Sequence, residues 1–177
     1  MQLKYIPTIV YNCLRISIDK LLYRNSFSSQ MIQLISSKTK IDIQRDGQLL
    51  INGLVHTEPN VLLSVKNGKL TLGNNVYINR NTLVVCRERI DIEDGVTIGP
   101  NVCIYDHDHD LQQPGLLITK SIHVGKNAWI GAGAIILKGV TIGENAVIAS
   151  GAIVVKDVPD NSIVKTRLLN DIVEIHR

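Results

Sequence analysis

Aromatic side chains are scarce in this chain: one Phe, one Trp and five Tyr, 4% of 177 residues. A core without aromatic bulk has to be aliphatic, which suits narrow layers. Cysteines are few and odd in number, Cys13, Cys86 and Cys103, with irregular spacing. That pattern gives neither a disulfide framework nor a zinc signature and points to a reducing compartment. No run of eighteen apolar residues occurs, so no membrane-spanning helix is expected. The first residues lack the continuous apolar stretch and small-residue cleavage site of a secretory leader. The expectation is a cytoplasmic protein of one domain.

What the chain has instead is a period. Between Val124 and Val158 an aliphatic residue returns every sixth position: Val124, Ile130, Ile136, Ile142, Ile148, Val154. Four residues after each stands a small or branched residue: Ala128, Ala134, Val140, Ala146, Ala152, Val158. Neither a helix nor a simple strand alternation makes a period of six, and a short internal repeat marks a solenoid. Each unit is one short strand and a turn, and three units close a triangular coil of eighteen residues. Upstream, Leu72, Ile78 and Val84 form one coil and Ile92, Ile98 and Ile104 the next, with a weaker start at Ile51. Five similar opening phrases predict about five coils. Gly and Asn crowd the corners, where positive φ is needed, as in Gly73-Asn74-Asn75, Asp94-Gly95 and Gly143-Glu144-Asn145.

Charge is uneven. Residues 1–40 carry six basic side chains and one acid, a net of +5, which leaves −2 for the rest of a chain whose total is +3. Ile6, Val10, Leu14, Ile18 and Leu21 recur at helical spacing, with Pro7 near the start. Two compatible readings stand: a helix that caps the open first coil, and a basic amphipathic helix resting on an anionic membrane surface. The domain reading is a basic helical segment at 1–40, a β-helix at 41–165 and a tail at 166–177.

The period fails between Ile104 and Ile122. The excursion over 105–121 holds His107 and His109 alternating with Asp106, Asp108 and Asp110. Long breaks in a regular solenoid are often functional, and histidine suits proton transfer near neutral pH. A plain solvated loop, or metal binding by the His-x-His step, fits the composition as well.

The repeat phrases Ile122-His-Val-Gly-Lys-Asn-Ala-Trp-Ile-Gly-Ala-Gly-Ala and Gly139-Val-Thr-Ile-Gly-Glu-Asn-Ala-Val-Ile-Ala-Ser-Gly-Ala resemble the hexapeptide-repeat acyltransferases. Within that family the likeness is to galactoside, maltose and capsule or O-antigen O-acetyltransferases, over roughly residues 70–165. The resemblance implies an all-β fold, a left-handed parallel β-helix, an exception to the usual right-handed crossover. It implies transfer of an acetyl group from acetyl-CoA to a hydroxyl of a sugar or surface-polysaccharide precursor, by direct attack, with no metal. His109, five positions past Ile104, falls where the family has its catalytic base; His107 is the second choice. Tyr77 and Asn79 match acceptor-side positions, and Asp106 is placed with them. Arg87 stands where the family often has an acid, which points to a different, anionic acceptor. Trp129 matches the residue beside the pantetheine arm. Gly131, Ala132, Ala149 and Ser150 match the edges along which coenzyme A lies, and Lys156 and Arg167 the phosphate contacts. A homotrimer with intersubunit active sites is implied, and no nucleic-acid partner. The alternatives are an N-acetyltransferase acting on an amino sugar, a γ-type carbonic anhydrase using His107, His109 and His123, and a β-helix without catalysis.

Overall fold

The inward aliphatics and small corner residues close the chain into a parallel β-helix with three faces, described for residues 5–165 by a computed structural model. The first face stacks Phe27–Ser29, Gln48–Ile51, Lys69–Leu72, Arg89–Ile92, Ile122–Val124 and Thr141–Ile142. The second stacks Leu34–Ile35, Val55–Thr57, Val76–Ile78, Thr97–Ile98, Trp129–Ile130, Val147–Ile148 and Ile163–Val164. The third stacks Lys40–Gln44, Leu62–Lys66, Leu83–Cys86, Cys103–Tyr105, Ile135–Ile136 and Ile153–Val154. In the later coils Val124, Ile130 and Ile136 lie in register with Ile142, Ile148 and Val154, a repeat of eighteen residues. All six are buried. Complete burial of such a side chain stabilises by about 1.5–3 kcal/mol.

Corners are held by asparagine. Asn75, Asn81, Asn101, Asn127 and Asn145 all take positive φ, between 55° and 60°. Asn tolerates this region better than other non-glycine residues because its short amide bonds locally. The same side chains link successive coils: Asn81 bonds Asn60 and Asn101 at 3.2 Å, and Asn145 bonds Asn127 at 3.3 Å and Asn161 at 3.1 Å.

The structure has about six coils, one more than the five legible openings. The additional coil is the first, built from Phe27–Ser29, Leu34–Ile35 and Lys40–Gln44. The β-helix therefore begins inside the segment that the sequence reading left to the N-terminal helical region. This coil escapes the pattern because polar side chains, Ser29, Gln33 and Thr39, occupy buried positions in it.

Backbone carbonyls of this coil meet helix α1, Ile6–Tyr23. The buried Asn12 amide donates to the carbonyls of Thr8, Gln33 and Ile35 at 2.9, 3.2 and 2.9 Å. Arg15 reaches the carbonyls of Ser36 at 3.3 Å and Thr39 at 2.8 Å. The end coil has no strand above it to take these carbonyls, so the helix satisfies them. The helix seats through Asn12, Arg15 and Ile16, not through its apolar stripe. Val10, Leu14, Ile18 and Leu21 face outward, Leu14 66% and Leu21 76% exposed. No helix among the described residues is long and apolar enough to cross a membrane.

Candidate active site

The break in the repeat is a β-hairpin. Its arms, His107–His109 and Leu117–Thr119, pair antiparallel, His107 opposite Thr119 and His109 opposite Leu117. Its root is fixed by Asp106, which is completely buried. The Asp106 carboxylate accepts backbone N–H groups from Arg87, Glu88 and Arg89 at 2.8–3.0 Å. Asp106 is thus committed to holding the neighbouring corner. This corrects its placement among the acceptor contacts: no face of its carboxylate is left for a ligand.

Asp106 also faces His107, with Nδ1 3.3 Å from Oδ1. The His107 ring stands edge-on to Tyr105, centroids 6.1 Å apart. Burial, with Cys103 beside it, pushes the Tyr105 phenol up to about 12, so it stays protonated at neutral pH. His107 is therefore enclosed and oriented. His109 is exposed at the end of the same arm and borders a groove with Asp108, Ile118 and Lys138. Lys138 Nζ lies 3.3 Å from the Asp108 carboxylate. The adjacent His109 N–H and this ammonium hold Asp108 below the usual carboxylate range. On the other arm the hydroxyls of Thr119 and Ser121 hold Glu88 low, Ser121 at 2.8 Å. Glu88 and Lys138, absent from the sequence reading, fasten the two sides of the hairpin.

The remaining predicted residues lie elsewhere on the same chain. Tyr77 and Trp129 stand in one outward row of the second face, with Thr97 between them. The Tyr77 ring meets His56 edge-on at 5.1 Å, and its hydroxyl lies 3.4 Å from Glu58. Burial and the Glu58 carboxylate raise the Tyr77 phenol above its ordinary value. Asn79 follows at the next corner, where its carbonyl oxygen accepts the Arg80 N–H at 2.8 Å. Trp129 is 56% exposed, a large apolar ring on the outer surface of the coil. Among the described residues neither hairpin histidine bonds or stacks with Tyr77, Asn79 or Trp129.

Gly131-Ala132 and Ala149-Ser150 form the corner after the second face. The coils approach so closely there that a Cβ on Gly131 would sit 2.6 Å from the Ser150 nitrogen. On the outer side of that corner Gly133 and Gly151 have nothing within 4 Å of an added Cβ, so the ridge is open. A flat, small-residue edge of this kind fits an extended pantetheine chain, whose amides need close approach to main chain. Lys156 is exposed near the end of this region. Arg167 lies outside the described residues.

Cys86 is buried, and burial with Asp106 nearby drives its thiol far above the ordinary range, which removes it as a nucleophile. His123 pairs with Glu93 at 3.5 Å on the first face, away from the hairpin. Among the described residues no three His, Cys, Asp or Glu side chains form a metal-holding group.

Residues 121–156 match the family described as bacterial transferase hexapeptide (six repeats). The nodulation protein L of Rhizobium leguminosarum bv. viciae is 47% identical over 69 residues, 37% of this chain and 36% of that protein. The galactoside O-acetyltransferase of Escherichia coli K12 is 37% identical over 79 residues, 42% of this chain and 38% of that protein. The chain thus spans less than half the length of the curated relatives it matches. Among solved structures, the N-acyltransferase AntD from Bacillus cereus, in complex with dTDP and 3-hydroxybutyryl-CoA, superposes with a TM-score of 0.69. It is 25% identical, with 82% of this chain and 81% of that chain covered. Repeat, coil register and matched segment agree: residues 121–156 carry the bacterial transferase hexapeptide repeat, and the chain is similar in fold to a solved N-acyltransferase.

Proposed function

We propose that this protein is an O-acetyltransferase that moves an acetyl group from acetyl-CoA to a hydroxyl of a sugar or polysaccharide precursor. The observation that carries the reading is the Asp106-rooted hairpin. It projects two histidines from a coil whose downstream neighbours present an open small-residue edge. His109 takes the hydroxyl proton as the oxygen attacks the thioester carbonyl. The tetrahedral oxyanion is stabilised by a backbone N–H near Ala132, and the imidazolium returns the proton to the departing thiolate. Coenzyme A runs along Gly131, Ala132, Ala149 and Ser150, beside Trp129, with Lys156 near its phosphates. Tyr77 and Asn79 contact the acceptor, and His107 lies beside the base. The test is incubation with acetyl-CoA and a panel of sugars, locating the new acetyl group by mass spectrometry. An amino sugar acetylated faster than every hydroxyl acceptor replaces O-transfer by N-transfer; no transfer and no acetyl-CoA binding leaves a non-catalytic β-helix.

The active form in this reading is a homotrimer with its sites between subunits. Two observations support it. The hairpin histidines and the Tyr77–Trp129 row lie on different parts of one chain, so a neighbour is needed to bring them together. From Leu83 onward the third face also presents apolar outward residues, Leu83, Val85, Ile135 and Ile153, although its earlier coils present Lys40, Asp42, Ser64 and Lys66; the first face presents Thr71, Asp91, His123 and Thr141. An apolar face that size fits subunit packing. Sedimentation showing an active monomer overturns the arrangement.

The outward stripe of α1, with Lys20 and Arg24 beside it, favours peripheral contact with an anionic membrane surface, the cytoplasmic face in this reading. Co-sedimentation with vesicles containing anionic lipid, lost on Leu14→Gln and Leu21→Gln, is the expected result. Equal recovery without vesicles counts against it.

A further inference from the structure

Beside the hairpin lies a concavity of one charge sign. Arg45, Lys66 and Arg87 line it from three successive coils, and Leu117 and Thr119 of the hairpin form the opposite wall. Val65 pairs with Cys86, so Lys66 and Arg87, each one residue further along, occupy equivalent positions on adjacent coils. Arg45 comes from the coil below, where Gln44 pairs with Lys66.

Three details set this cluster apart from ordinary surface basic residues. Among the described residues none of the three cations makes an ion pair, although Arg15, Arg80, Arg89 and Lys138 all do. One guanidinium nitrogen of Arg87, Nη1, is shielded from solvent and has no hydrogen-bond partner. A buried donor left unsatisfied is costly, and so is bringing like charges together, unless an anion meets them. Arg45 also holds φ of +55° at the corner position that Asn67 occupies in the next coil. A long cationic side chain there is disfavoured by the backbone alone. Two carboxylates beside Arg87 are engaged: Asp106 with three backbone N–H groups, Glu88 with Thr119 and Ser121.

We infer that Arg45, Lys66 and Arg87 bind a phosphate or pyrophosphate group carried by the acceptor. Guanidinium forks and a lysine match phosphate oxygens in geometry and charge. The place of the cluster ties it to the chemistry. Residues directly opposite in an antiparallel pair share a face, with Cβ atoms about 5 Å apart. Leu117 and Thr119 wall the cation pocket and stand opposite His109 and His107. The anion is thus held against the hairpin arm that pairs with the histidine strand, on coils other than those of the small-residue edge assigned to coenzyme A. The substrate class is a sugar phosphate or a sugar linked through pyrophosphate. This deepens the acetyl-transfer reading and rests on it for the identity of the ligand.

Calorimetric titration of the full chain with inorganic pyrophosphate tests it, with and without saturating coenzyme A. Saturable binding that persists with coenzyme A present is expected. It should weaken about tenfold or more in Arg87→Gln and in the Arg45→Gln/Lys66→Gln double variant, less in Arg87→Lys, and not in Lys126→Gln on the first face. Circular dichroism establishes that each variant is folded; Arg87→Lys retains the charge should the others unfold. In acetyl transfer, Arg87→Gln should raise KM for a sugar 1-phosphate more than KM for the free sugar. Absence of saturable binding in the wild type, or binding that the cluster variants retain, overturns the inference. Pyrophosphate binding through the cluster without any acetyl transfer refutes the enzymatic reading and leaves the anion site standing. Transfer without pyrophosphate binding does the reverse.

Discussion

The coils downstream of Ile122 and the coils upstream of Asp106 use the same architecture with different interiors. Every buried polar side chain among the described residues, from Asn12 through Gln33, Thr57 and Thr82 to Asp106, lies upstream. Downstream the buried side chains are aliphatic: Val124, Ala128, Ile130, Ala134, Ile136 and their successors. Coil length follows the same division. Val124 pairs with Ile142 eighteen residues on, whereas Leu49 pairs with Leu70 and Leu70 with Ile90 at wider steps. A downstream coil can be copied because each inward position needs only a residue of the right volume. An upstream coil carries particular bonds to α1, to the hairpin and to the Arg87 corner, and those bonds require particular residues. Repetition gives a uniform frame, and the departures from it carry the particular contacts.

Substitutions in the two regions should fail differently, and the largest effect belongs to the hairpin. His109→Ala should lower kcat by about 10²–10⁴-fold with acetyl-CoA affinity nearly unchanged. An alanine variant with full activity removes His109 as the base and transfers the role to His107, whose own alanine variant is the companion measurement. Downstream, Ile136→Ala should cost about 2–5 kcal/mol of stability in denaturant titration, because the coil closes only partly over the lost methyl groups. Its kcat under folding conditions should stay close to wild type; a loss of turnover at full stability would blur the contrast between platform and site.

Asp106→Asn should fall between these. The shape is kept, but an amide NH2 replaces an oxygen that accepts N–H groups. A destabilisation of roughly 1–3 kcal/mol is expected. A larger fractional loss of kcat should accompany it, because the corner and the hairpin root both relax. Equal losses in stability and turnover would make Asp106 merely structural.

The smallest effect is expected from acid. Glu88 has its folded value lowered by the Thr119 and Ser121 hydroxyls from an ordinary 4.5. A depressed carboxylate contributes stability that is present above the unfolded value and lost as pH falls through the folded one. Hydrogen exchange at Thr119–Ser121 should therefore rise relative to the downstream coils as pH drops below about 4.5. Uniform behaviour of both regions would show that the fastening is not electrostatic.

Much of this was legible in the residue order. The inward rows from Leu72 to Val154, the positive-φ corners at Asn75, Gly95 and Asn145, and the break after Ile104 all follow from local spacing, and all appear in the coil. The first coil was not legible, because Gln33 and Thr39 are buried polar side chains bonded to Gly53 and Thr57 of the next coil, where the repeat elsewhere has aliphatics. The outward stripe of α1 left both readings of that helix open for a related reason: helical spacing reveals an apolar face but not whether the partner is core or surroundings. Arg45, Lys66 and Arg87 lie 21 residues apart, about one upstream coil, so a search for cations at that step finds the cluster. Glu88 and Lys138 carry no such signal, since their partners come from the hairpin.

The sequence by itself determined the solenoid, its corners and the place of its interruption. These depend on volume, backbone preference and period, which are properties of neighbours along the chain. Coil stacking was needed to show that Asp106 is a buried anchor, that α1 caps with Asn12 and Arg15, and that three cations converge beside the Leu117–Thr119 arm of the hairpin. Each of these depends on which coil lies above which. Upstream of Ile122 the coil length varies, so local spacing alone does not fix that stacking.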